Sequence, residues 1–219
     1  MRDSDEDGIQ DPVADALLSD STYERLRQTR YSPFGQPIPT KIVYQSGLLF
    51  LLALMLPVMA SFPAEVRAML GGTAVSASPK VLILGLVGGI VVFGGGLALT
   101  AIGFLRVHLE SRMTEELAHR LLGMEDVASL LGIGTGGLAI LLTMAYVLMG
   151  YIGIRAVEWY IDTMGLSPFA PSGVEPITVG GVATLAFVGS VALLVASQAL
   201  HAEFRLRLGE EYGGSPLGD

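Results

Sequence analysis

The chain has no cysteine. Disulfides, thiolate metal centres and cysteine nucleophiles are therefore excluded outright. Charge is scarce as well: Asp, Glu, Lys and Arg make up 16% of the residues, against ~25% in an ordinary soluble domain. Lysine is nearly missing, with Lys41 and Lys80 standing beside eleven arginines. There is no phosphate-binding glycine loop and no metalloprotease or esterase signature, so no enzymatic activity is expected. Residues 1–40 hold no apolar run, and no secretory signal is expected there.

What fills the 219 residues is apolar: 51% hydrophobic, with a mean hydropathy of +0.57. The longest run is Lys80 to Leu105, which carries no charge after Lys80. As a helix it is long enough to cross the ~30 Å hydrocarbon core of a bilayer. Three further stretches of this kind predict an all-α integral membrane protein, a glycine-rich bundle of four transmembrane helices. The spans are expected at about 42–62, 80–105, 131–160 and 177–200, within a membrane domain over 41–208. An acidic segment over 1–40 precedes it and a polar tail over 209–219 follows. Together with the formal charge of −8, the Arg-, Gly-, Ala- and Val-rich usage resembles that of a prokaryotic, salt-adapted source.

Small residues recur at helical spacing. Gly85, Gly89, Gly96, Thr100 and Gly103 share one face of span two, while Gly132, Gly136, Ala139, Thr143, Gly150 and Gly153 line span three. In lipid, such faces let two helices approach closely, which predicts spans two and three as neighbours, glycine face on glycine face. Pro57 should interrupt span one by removing the donor for the Ala53 carbonyl. After Pro63, AEVRAML reads as one or two turns lying on the membrane surface.

Outside the membrane, Ser21 and Glu24 make a capping box that starts a short N-terminal helix, and SPFGQPIP then supplies an extended linker. Residues 106–130 are the most polar helical stretch. The pairs Arg106/Glu110 and Glu116/Arg120 are spaced i, i+4, and Leu109, Met113, Leu117 and Leu121 form an apolar row. The expectation is a cytoplasmic hairpin: span two runs on as a helix to about Leu122, Gly123 breaks it, and a second short helix returns to the membrane. An apolar row of that length is usually covered, and Leu17, Leu18 and Leu26 of the N-terminal segment are the expected cover.

Orientation follows from the basic residues. Ten of the thirteen fall before span one, between spans two and three, or after span four; Arg67, Lys80 and Arg155 are the other three. The positive side is cytoplasmic, so both termini are expected there, in a cell-membrane protein. Lys41, Tyr44 and Gln45 suit the interface at the start of span one.

Four groups of residues are candidate sites. The first is DSDEDGIQD, where Asp3, Asp5, Asp7 and Asp11 alternate around Gly8. It resembles the calcium loops of thrombospondin type 3 repeats and the first half of an EF-hand, in which alternate carboxylates meet one cation. The EF-hand's twelfth position is Ala14 here, so its bidentate glutamate is missing. Calcium at this loop is the one cofactor in question, and otherwise none is expected. The second is Arg155, Glu158 and Trp159 at the far end of span three, an interfacial anchor or gate. The third comprises His108 and His201 at the ends of their spans. Bis-histidine haem ligation would need them face to face across an apolar slot, whereas a headgroup-level position suits half-polar rings. The glycine faces are the fourth, read as helix-packing devices.

No Asp, Glu, Lys or Arg is expected at mid-membrane in any span, where coupled carriers commonly keep one. The expected function is that of a small scaffold or accessory subunit acting through its cytoplasmic face. Its partners would be the bilayer and either another protein or a second copy, without nucleic acid. The alternative is a small permease or channel working as a homo-oligomer, recognisable by a polar path reaching Thr100, Thr143 or Gln198.

Overall fold

The computed structural model describes Tyr23, Leu26, residues 35–174 and residues 176–208. The described residues are helical and contain no strand. Four helices are long and apolar enough to cross a membrane: Ile38–Ala60, Lys80–Leu109, Glu115–Ile152 and Val179–Leu206. They are called spans one to four below.

Span one comprises α1 (Ile38–Ala53) and α2 (Met55–Ala60). Pro37 and Pro39 start α1 at positions where a missing N–H costs nothing. Regular helix lapses at Leu54, three residues before Pro57. The short α3 (Ala64–Ala68) follows Pro63 and buries Val66. Span two is the uninterrupted α4 (Lys80–Leu109).

The connection from span two to span three departs from the expected hairpin. Helix ends at Leu109, a 3-10 turn covers Glu110–Arg112, and α5 (Glu115–Ser129) begins at once. Thr114 is the cause: its side chain accepts from the Leu117 N–H, and Glu115 and Glu116 complement the positive end of the new helix. Gly123 lies inside α5 and breaks nothing. Span three continues through a π-helical stretch, Leu130–Gly136, into α6 (Gly137–Ile152). It stops short of the expected Tyr160. Gly153 takes φ 129° and ends it, and a separate amphipathic helix, α7 (Ile154–Met164), lies beyond. There the Tyr146 and Tyr160 hydroxyls are 3.1 Å apart, a hydrogen bond that pushes the Tyr160 hydroxyl up. Span four is α8 (Val179–Leu208).

Span one, like span two, packs on the other three. Its broadest interface is with α8, pinned by the Ser46 hydroxyl donating to the Ser190 carbonyl at 2.8 Å. Spans two and three touch through Gly88 against Gly136 and Ala139, and through Gly95 against Gly132. The predicted row on span two is used differently. Gly85 meets Leu52 and Thr143, Gly89 meets Leu52, Gly96 meets Leu193 and Gln45, and Gly103 meets Leu200. Most of that row therefore admits large side chains from spans one and four; of its glycines Gly85 also meets span three, through Thr143, and the others that do so, Gly88 and Gly95, stand one position over.

The end of the bundle remote from Lys41 is closed by two interlocked loops. Lys80 and Val81 N–H groups donate to the carbonyls of Ala170 and Pro168, and Val179 and Gly180 N–H groups donate to those of Ala77 and Val75. Each loop thus satisfies the orphan donors at the start of the other loop's helix. Beneath them Phe62 and Phe169 stack edge-on at 5.5 Å. Gly150 makes this possible, since a Cβ there would lie within 2.7 Å of both rings.

Candidate functional site at the Lys41 end

Lys41 lies in the first turn of α1, and that turn is fastened to α8 by the Ser197 hydroxyl, which donates to the Pro39 carbonyl at 2.9 Å. Packed in this way, Lys41 is 1% exposed. Its Nζ reaches Oε1 of Glu125 at 2.5 Å, and Glu125 is itself 3% exposed. The other carboxylate oxygen of Glu125 accepts the Tyr23 hydroxyl. Both oxygens thus have donors, as a buried carboxylate requires if its desolvation is to be offset.

Arg106 of α4 joins them. Its guanidinium carbon is 4.4 Å from the centre of the Tyr23 ring and 5.1 Å from that of Phe204. A desolvated cation between aromatic faces gains ~2 kcal/mol or more. The N-terminal segment and all four spans contribute to this one cluster: Tyr23, Lys41, Arg106, Glu125 and Phe204. It also places the N-terminal segment and the end of span four on the same side of the bundle.

One turn deeper sits Gln45, fully buried, with neither amide atom hydrogen-bonded. Its amide occupies a notch made by three glycines. A Cβ on Gly95 would stand 3.0 Å from its Nε2, one on Gly96 would stand 2.9 Å from its Oε1, and one on Gly132 would collide with it. Gly132 belongs to the π-helical stretch, a distortion often found at functional positions. A buried amide without partners loses hydration that nothing returns.

The positions singled out from sequence are dispersed. Asp3, Asp5, Asp7 and Asp11 lie outside the described residues. Arg155, Glu158 and Trp159 are exposed on α7, at the opposite end from Lys41, and no ion pair joins Arg155 to Glu158. The exposed His108 turns Nδ1 to the Phe104 carbonyl of its own helix. Among the described residues no three His, Asp or Glu side chains are grouped to hold a metal. Gly132 and Gly96 do belong to the site, as walls of the Gln45 notch. Gly85, Gly89, Gly103, Gly136 and Gly150 are packing positions elsewhere.

Lys41 and Gln45 do not serve the interface as expected: both are buried, while Tyr44 alone of the three is exposed. The cluster had a legible trace. Lys41 and Gln45 are four residues apart and share a face. The row Leu109, Met113, Leu117, Leu121, extended by one step, lands on Glu125. That carboxylate therefore stands where α5 presents its core face, whereas Asp126 is off it. No family model, curated protein or solved structure matches this chain, and the reading of the cluster rests on its geometry.

Proposed function

We propose that the protein is a non-enzymatic membrane scaffold or accessory subunit, with both termini cytoplasmic, acting through the face that carries the buried cluster. The observation behind this reading is Tyr23. A residue of the polar N-terminal segment is fully buried at the bundle's end, bonded to Glu125 and stacked on Arg106. That arrangement makes the N-terminal segment a latch on the cytoplasmic face. A partner then meets the latch and the neighbouring turn at Glu110–Thr114 as one surface. Leu26, Met113 and Leu117 pack onto the same core, which accords with the N-terminal segment covering the apolar row.

The transport alternative finds less support. The Thr100 and Thr143 hydroxyls donate to Gly96 and Ala139 carbonyls of their own helices, and Gln198 is exposed on the outside of the bundle. The test is deletion of residues 1–30 with recovery from native membrane. The truncated chain should still insert, should be newly cut by protease between Arg106 and Arg120, and should lose proteins that co-purify with the full chain. If it stays monodisperse with the parent's cutting pattern and partners, the segment covers nothing and the reading fails.

A further inference from the structure

Spans two and three meet at mid-length, where Gly95 packs on Gly132 and on the Ala128 carbonyl. From that contact toward the Lys41 end, a cleft of about 870 Å3 opens between α4 and α5. Gly94, Ala98 and Ala101 form one wall; Gly123, Met124 and Val127 form the other. Gly94, Ala98, Ala101, Met124 and Val127 are exposed in it, so it opens on the outside of the bundle. We infer that this cleft binds one anionic phospholipid, with its two chains in the apolar groove and its phosphate on Arg120.

Two independent features point to an occupant. Gly94 and Gly123, one on each wall, are glycines that nothing within the chain requires. A Cβ on either would meet nothing within 4 Å, and neither has a positive φ. Glycine weakens a helix interior relative to alanine, so its presence on both walls keeps the groove deep. The second feature is Arg120, the charged residue of the lining, at the headgroup end of the cleft. It is 73% exposed, and its partner Glu116, at 2.6 Å, is exposed as well. An ion pair of that kind holds weakly. A phosphate, which can take the guanidinium fork through two parallel hydrogen bonds, can displace it.

The lining separates a lipid from a protein helix by its chemistry: a long apolar groove with one cationic side chain at its end matches hydrocarbon chains below a phosphate. A second apolar cleft, about 310 Å3 between α1, α4 and α8, shows the contrast. It is lined by no charge, and its glycines are already in use: Gly89 admits Leu52 and Gly189 admits Phe93.

The test uses the full chain in mild detergent, washed free of lipid, with phosphatidylglycerol and phosphatidylcholine as probes. Native mass spectrometry counts bound lipid, and melting reports its effect. The parent should keep one phosphatidylglycerol per chain at least tenfold more strongly than phosphatidylcholine. Arg120→Gln should erase that preference while leaving lipid-free melting unchanged. The double variant Gly94→Leu with Gly123→Leu has room for its new side chains; it should fold and lose phosphatidylglycerol at least tenfold. Equal retention of the two lipids by the parent overturns the proposal, as does undiminished binding in the double variant. A change in oligomeric state of the double variant without a change in lipid binding would assign the cleft to a second copy. Should the double variant not fold, the Arg120→Gln comparison decides alone.

Discussion

At one end of the bundle, Lys41, Glu125, Tyr23 and Arg106 bring charge into a nearly dry interior. At the other, two loops knit their backbones together over a pair of phenylalanine rings. Both ends face the same problem, that helix termini and apolar side chains must be shielded where a bundle stops. The loop-closed end solves it with main-chain donors and carbonyls, which any sequence supplies once the turns are right. The Lys41 end solves it with particular side chains drawn from five separate stretches. Buried ion pairs are a poor source of net stability, and their partners fail badly alone. An end built in this way is therefore sensitive to single changes and to removal of the N-terminal segment. At the other end the backbone bonds between the loops depend on no particular side chain, and only the ring pair beneath them does.

The sharpest way to break the comparison is Lys41→Met. It leaves the Glu125 carboxylate buried without its cation and should destabilise by ~3–5 kcal/mol, read from melting in detergent. Adding Glu125→Leu should recover most of the loss. If the double variant melts no better than the single, the two groups are not coupled. At the other end, Phe169→Ala should cost ~3 kcal/mol from the cavity alone, with no second substitution that rescues it.

A smaller effect distinguishes glycines that look equivalent in sequence. At Gly136 a side chain would meet backbone, the Val92 nitrogen at 3.0 Å and the Gly88 carbonyl at 3.1 Å, besides the Val92 methyl at 2.8 Å. Gly136→Leu must push the helices apart, at ~2–3 kcal/mol. At Gly89 the obstacle is the end of the Leu52 side chain at 3.0 Å, which can swing, and Gly89→Leu should cost ~1 kcal/mol. Equal losses would show that spans two and three adjust as easily as a leucine rotamer.

Tyr23→Phe removes one donor from a buried carboxylate and keeps the ring on Arg106. A loss of ~1.5 kcal/mol is expected, together with faster proteolysis near Glu110–Thr114. No change in either would reduce Tyr23 to packing. Least perturbing is a topology reporter fused after Asp219, which should leave stability untouched and report from the cytoplasm. A signal from outside would put the buried cluster on the external face and remove the latch from reach of cytoplasmic partners.

Composition and hydropathy run lengths by themselves determined the class of object. Twenty-odd uncharged residues in a row allow little but a membrane helix, because the backbone must satisfy its own hydrogen bonds there. The four spans were legible for that reason, as was the lapse before Pro57, since proline acts on its own helix. The turn at Thr114 was legible in principle as an N-cap followed by two glutamates, but the run of i, i+4 pairs masked it. Sequence could not decide which helix each glycine would face. A stripe of small residues licenses close approach without naming the partner, and only the packing sent Gly96 and Gly103 toward span four and Gly88 and Gly95 toward span three. The site was decided in the same way. Lys41 and Glu125 are 84 residues apart, and each alone looks like an interfacial charge. Only the tertiary arrangement, with span one packed on the other three and α5 presenting Glu125 toward it, turns two edge residues into a buried pair. Local periodicity can report which face of a helix is turned inward, but it carries no information about which helix stands opposite.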